Sequence, residues 1–296
     1  MVDPLAQVVS QLQPSLALSK LVSAAGRWEV QRAESGRPFY CAVLEGRVAL
    51  VVGARAPVIL EPGDFVLIPA ASSFTASSLE RPRGKSAHTV LPSGEVRHGD
   101  ASAPPDVRMV VGYCALGSPD PDVLVSLLPS FVHVRGEPRL TTLVELVGEE
   151  ARARRPGREV ILARLLEVLF IEALRANARS RPSPGLLRGL ADEQLARALR
   201  RMHEQPGRTW TVAQLAKTAA LSRSAFFERF TRVVGAAPME YLLRWRMARA
   251  KELLVRGLSV GEVAEQVGYA SPSSFSVAFS RHVGSAPKHF ARARGA

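Results

Sequence analysis

The sequence predicts an α+β protein. A small β-barrel with following helices comes first, then an all-α block of two helix-turn-helix units joined by a long helix. Three observations predict it. From Gly26 to about Val90, short β-branched runs alternate with turn residues. After Pro119 the patterning turns helical. In the last third one motif occurs twice, 49 residues apart. At 296 residues the chain is long enough for two domains, and 47% hydrophobic content is ample for packed cores.

Taken in order, Asp3-Pro4 reads as a cap and a first-turn proline opening a helix over 5–13. The rest of the stretch to residue 25 has no clear period. The runs Tyr40–Leu44, Val48–Val52, Val58–Leu60 and Phe65–Ile68 are separated by Glu45-Gly46, Gly53 and Glu61-Pro62-Gly63-Asp64, the texture of a small sandwich or barrel. Residues 92–106 read as loop and Val107–Leu116 as a closing strand. Helices are expected over Val123–Val134, Leu140–Arg154 and Arg158–Asn177. The last is apolar nearly all round, so either the β-domain and neighbouring helices cover it or a second subunit does. Ala178–Gly185, rich in Arg, Ser and Pro, reads as a linker. The expected domains are a barrel over 1–118, a helical segment over 119–180, a linker over 181–190 and an all-α domain over 191–296.

Seven helices are expected between about 191 and 293. Asp192 caps the first. Thr211 with Gln214, and Ser259 with Glu262, are capping boxes at equivalent places in the two copies. Ser222 and Ser271-Pro272 cap the helices that follow, and Gly235 and Gly284 close them. Phe226, Phe230, Gly235, Pro238 and Tyr241 recur as Phe275, Phe279, Gly284, Pro287 and Phe290, each 49 positions on. Ala216 and Leu221 recur 48 on, so the second turn carries one extra residue. The phenylalanines are core. The opposite face holds Arg223, Ser224, Phe227 and Glu228 in the first copy, and Pro272, Ser273, Ser276 and Val277 in the second. Such positions reach base edges in a major groove, with Arg229, Arg232 and Arg281 placed for phosphates. Met239–Val255 reads as one connecting helix with a packing stripe of Leu243, Met247, Ala250 and Leu254.

Charge agrees. Residues 186–296 carry 18 Lys/Arg against 8 Asp/Glu, whereas 1–185 carry 21 against 19, so nearly all of the net +12 lies in the duplicated block. Arg outnumbers Lys 34 to 5. Only Cys41 and Cys114 occur, which excludes a disulfide framework and a cysteine-based metal site. No stretch has the form of a signal peptide. The most apolar run, Val160–Leu174, is broken by Arg164, Glu167 and Glu172, so a cytoplasmic protein without a membrane partner is expected.

Residues 192–293, above all Val263-Ala264 through Gly268-Tyr269, Phe275, Phe279, Arg281, Gly284 and Pro287, resemble the AraC/XylS family of bacterial transcription regulators. The resemblance implies a seven-helix domain that binds promoter DNA and acts with RNA polymerase. Val43-Leu44-Glu45-Gly46 and Leu60 through Pro69 resemble the cupin-like effector domain often fused to it, whose following helices dimerise; a homodimer is therefore expected. Two positions depart from the family pattern: Val277 stands where Arg or a polar residue is frequent, and Glu228 where a basic residue is common. No cofactor or metal is expected, because the strand after Pro38 has no His and His88 and His98 stand isolated in sequence. A small-molecule effector is expected instead, with Phe39, Tyr40, Cys41 and Phe74 either lining its site or simply filling the barrel. The alternative is a cupin enzyme carrying a DNA-binding tail.

Overall fold

The computed structural model describes residues 3–33, 36–71, 73–80, 82, 88–91, 94–118, 121–153, 155–180 and 184–294. The chain forms two compact units. One comprises Gln13–Leu116 and Ser130–Arg181, the other Met1–Leu12, Gly117–Pro129 and Pro182–Ala296.

The first unit is built on strands β1 (Pro14–Ala25), β2 (Glu29–Arg32), β3 (Phe39–Glu45), β4 (Val48–Val52), β5 (Val58–Leu60), β6 (Phe65–Ile68), β7 (Phe74–Ser77), β8 (His88–Val90), β9 (Val96–Gly99), β10 (Val107–Leu116) and β11 (Val132–Val134). They make a sheet of order β11-β6-β3-β10-β1-β9-β8 facing one of order β2-β7-β4-β5. The β1–β9 pair is parallel and the other pairs are antiparallel. Alternate residues of both sheets, among them Val22, Phe39, Val43, Leu50, Val66 and Met109, meet in one buried core with Trp28 from the β1–β2 connection. Helices α3 (Pro138–Ala153) and α4 (Arg158–Ser180) pack together, and both lie against β1.

The four apolar runs and the closing strand form where their pattern places them. Three segments differ. Residues 14–25 form β1, with the large sheet's neighbours β10 and β9 on its two sides. Its period is weak because one face looks into the barrel core and the other is partly covered by helices. Residues 96–99, read as loop, are β9. The helix expected over Val123–Val134 divides into α2 (Pro121–Val125) and β11, because Pro129 interrupts the run and the β-branched Val132 and Val134 pair with β6. Helix α4 buries Leu162, Leu166, Leu169, Phe170 and Leu174 but leaves Val160, Ile161 and Val168 exposed.

The second unit contains α1 (Pro4–Leu12), α2, α5 (Leu186–Ala191), α6 (Glu193–Glu204), α7 (Val212–Thr218), α8 (Arg223–Val234), α9 (Pro238–Val255), α10 (Val260–Gln266), α11 (Pro272–Val283) and α12 (Pro287–Arg294). Helix α1, read as part of the barrel domain, packs here on α2 and α6, presenting Leu5, Val8, Val9 and Leu12. Residues 186–190, read as linker, belong to α5. The apolar pair Leu186-Leu187 is buried, and Gly189 lets the helix approach Leu199 and Val234. Residues 181–183 of that linker, and Pro119 at the expected domain boundary, lie outside the described residues.

Candidate nucleic-acid interface and ligand cavity

The duplication in sequence is a duplication in space. The rings of Phe226 and Phe230 are 5.4 Å apart, and those of Phe275 and Phe279 also 5.4 Å. Phe230 meets Tyr241 edge-on at 5.8 Å and 75°, and Phe279 meets Phe290 at 5.6 Å and 75°. Both capping boxes close: Thr211 exchanges hydrogen bonds with Gln214, and Ser259 with Glu262. Ser222 Oγ accepts from the Ala225 amide, and Ser271 forms a third box with Ser274. Gly235 and Gly284 end α8 and α11 in the left-handed conformation, at φ 82° and 78°. Each cap contributes about 1 kcal/mol, so together they set where the two helices begin and which residues face outward.

On α8, Arg223, Ser224, Phe227, Glu228 and Arg232 are exposed, as are Pro272, Ser273, Val277 and Arg281 on α11. Phe227 and Val277 retain 44% and 66% of their free surface, so each copy offers a large apolar side chain to solvent on the face opposite its phenylalanine core. Ser276 is half-buried and donates to the Pro272 carbonyl at 2.7 Å. Arg229 is engaged elsewhere. It donates to Asp192 Oδ2 and to Gln194 Oε1, each at 2.7 Å, tying α8 to the cap of α6. Arg223, Arg232 and Arg281 form no ion pair among the described residues.

The two copies are clasped together. Arg246 of α9 donates from Nε to the Pro206 carbonyl and from Nη2 to the Arg208 carbonyl, both at 2.8 Å. The loop it holds lies against the turn between α10 and α11, where Gly207 and Gly268 meet backbone to backbone. Helix α9 serves both cores. Its Tyr241 and Trp245 face the first copy, and Met247, Ala250, Leu253 and Leu254 the second, with Leu243 partly buried beside them. The expected stripe is thus the second-copy face alone. At 18 residues the helix is about 27 Å long.

His203 of α6 is buried beneath this arrangement. It stacks on Trp245 at 4.1 Å, its Nδ1 lies 3.1 Å from Gln7 Oε1, and its Nε2 lies 2.7 Å from the Tyr241 hydroxyl. A neutral ring that donates to Gln7 and accepts from Tyr241 satisfies both contacts. Burial depresses its pKa from 6.5 to about 3. The unfolded chain therefore takes up a proton here before the folded chain does. The contribution of His203 is complete above pH 6.5 and is lost as pH falls towards 3, on the order of a few kcal/mol. Urea titrations of the full chain between pH 7 and 4 should show this slope, and His203→Gln should flatten it.

The barrel unit contains a cavity of about 50 Å³. Phe39, Cys41 and Phe74 line it; Tyr40 does not. Successive strand residues point to opposite faces, so Tyr40 stacks on Phe65 behind the wall instead. The sequence reading missed Lys20, Trp28, Arg32, His98 and Tyr113, which also line the cavity. Lys20 sits on the unassigned strand β1. Tyr113 was readable, since it alternates with Met109 and Val111 on the recognised β10. His98 is not isolated in space: its ring lies 5.8 Å from His88 and 6.2 Å from Trp28. Burial, then the nearby His88, Lys20 and Arg32, hold its pKa down to about 4. Burial pushes the Cys41 and Cys114 thiols up to about 12. Only Cys41 faces the cavity. Among the described residues, no three His, Cys, Asp or Glu side chains gather as a metal site would need, and no helix is long and apolar enough to cross a membrane.

Comparison with known proteins places both halves. A family described as cupin matches residues 3–179, and one described as helix-turn-helix domain matches 215–293. A protein of Streptomyces lividans named as an AraC-like transcription regulator is 34% identical over 293 residues, covering 96% of each chain. A Streptomyces antibioticus protein of the same description is 33% identical, covering 96% of this chain and 97% of its own. The crystal structure of ToxT from Vibrio cholerae aligns over 95% of this chain and 97% of its own, at 12% identity and a TM-score of 0.40. The chain belongs to the AraC-like transcription regulators, with a cupin domain ahead of its helix-turn-helix domain.

Proposed function

We propose that this regulator reads promoter DNA with the outer faces of α8 and α11 together, under the control of a small molecule held in the barrel. The observation that carries the reading is the pair of equivalent, serine-capped helices, each presenting small polar side chains and one large apolar side chain outward, with Arg223 and Arg232 on α8 and Arg281 on α11 free of ion pairs among the described residues. Arg223 at the start of α8 fits a guanine edge, Phe227 and Val277 fit thymine methyl groups, and Arg232 and Arg281 fit phosphates. Pro272, Ser273, Ser224 and Ser276 complete the two faces, with Glu228 placed to accept from cytosine. Arg229 acts as a positioning residue through Asp192. The exposed Val160, Ile161 and Val168 of α4 support a homodimer, which sedimentation equilibrium reads directly. The protein would act in the cytoplasm, with RNA polymerase as its further partner. The descriptions of its relatives favour a regulator over an enzyme with a DNA-binding tail.

Footprinting on the promoter beside its own gene tests the reading. A protected site of at least two helical turns is expected. Arg223→Ala should reduce discrimination between that site and a variant base pair by about 1–3 kcal/mol while leaving the fold intact. Equal affinity for scrambled DNA would sink the proposal.

A further inference from the structure

We propose that the barrel cavity binds a compact organic anion, a short-chain monocarboxylate, with its carboxylate between Lys20, Arg32 and Tyr113 and its carbon chain directed inward over Val22, Phe39 and Cys41. The inference rests on the reading of the barrel as an effector domain and supplies the chemical class of the effector.

Charge is the first argument. Lys20 comes from the large sheet and Arg32 from the small one, so the fold brings two cations to one cavity from opposite walls. Among the described residues no carboxylate lines it. Burial and then the neighbouring Arg32 lower the Lys20 pKa, so an anion between the two cations relieves their repulsion. Burial, then His88 of β8 and then these same two cations, keep the His98 imidazole of β9 neutral.

Hydrogen-bonding capacity is the second. Lys20, Arg32 and the Trp28 indole are donors without acceptor capacity. Trp28 is fully buried, and its Nε1 has no partner. The lining thus holds three side chains that only donate, besides Tyr113 and the neutral His98, which can also accept, a set that favours a ligand rich in acceptors.

Shape is the third. Both cations reach solvent, with Tyr113 and the apolar Val30, Ala76 and Val111 beside them, whereas the remaining lining is buried. The two cations therefore stand towards the mouth and the floor is mostly apolar, with the Trp28 indole and the neutral His98 as its polar groups. At about 50 Å³ the space suits a chain of roughly three to five water-sized groups and excludes a bulky one.

Thermal shift and calorimetry on the full chain provide the test, with propionate and butyrate as probes, their amides as uncharged isosteres and sodium chloride at matched ionic strength as control. The acids should bind saturably and at least tenfold more tightly than the amides. Lys20→Met with Arg32→Met should remove at least tenfold of that affinity while the circular dichroism spectrum stays unchanged. Amides that match acids, a double variant that binds equally well, or acids that act no differently from chloride would each overturn the inference. Footprinting on the same samples separates the two levels. If sequence-specific DNA binding is intact, only the ligand class falls; if the unmutated chain shows none, the functional reading falls with it.

Discussion

Phe279→Ala should destabilise the second helix-turn-helix unit by about 3–5 kcal/mol. The ring is fully buried between Phe275 at 5.4 Å and Phe290 at 5.6 Å. It sits in a small core drawn from α9, α10, α11 and α12. Removing it leaves a hole that the short helices α10 and α12 can close only by abandoning their own contacts. A whole domain is stable by about 5–15 kcal/mol, so the loss approaches the full stability of this part of the fold. Urea unfolding of the full chain should show an early transition, and amide exchange should locate it in α11 and α12. Val277→Ala is the matched comparison. It lies two residues away, is 66% exposed, and should change stability by no more than about 0.5 kcal/mol while weakening binding to a site with thymine beneath it. Equal stabilities for the two variants would contradict the assignment of inner and outer faces.

The all-α unit was legible because its signals are local and occur twice. A cap, an i, i+4 pair of rings and a closing glycine each lie within one helix, and finding them again 49 residues on confirms the register. The barrel strands over 39–68 and 107–116 were legible for a similar reason: apolar runs bounded by turn residues. What escaped depends on partners distant in sequence. β1 gains its identity from β10, almost a hundred residues away. Helix α1 was recognised as a helix, yet nothing in its nine residues says that Gln7 meets His203. Tyr40 was grouped with its neighbours as a candidate for the cavity lining because the strand is identifiable from sequence without its inner face, and a strand residue one place off points the other way. Arg229 has the composition and spacing of a phosphate ligand, and only the position of Asp192 shows that its guanidinium is committed.

Gly268 is the place where this distinction between local and distant causes can be measured. Its φ is +81°, a conformation that disfavours side chains. That alone does not account for a glycine, because the equivalent residue of the first copy is Ala220, held at φ 54° with its side chain in solvent. The difference lies across the clasp. A Cβ on Gly268 would collide with the Gly207 carbonyl oxygen and would lie 2.8 Å from its carbon and 2.9 Å from Arg246 Nη2. The obstacle is backbone, so the loop over 205–210 must move, and the Arg246 hydrogen bonds that hold it must stretch. Left-handed strain of about 1–2 kcal/mol and overpacking of about 1–3 kcal/mol then add. Gly268→Ala should therefore cost about 2–5 kcal/mol, against a neutral or slightly stabilising Ala220→Gly. Its effect on DNA should be equally specific. With the clasp loosened, α8 and α11 are no longer held at one separation, so affinity for the natural site should fall while tolerance of a one-base-pair insertion between its halves rises. Arg246→Ala, which frees the Pro206 and Arg208 carbonyls, should move both readings in the same direction by less. If Gly268→Ala behaves like a change at Ala220, with the natural site bound as tightly as before, the two units are not acting as one rigid reader.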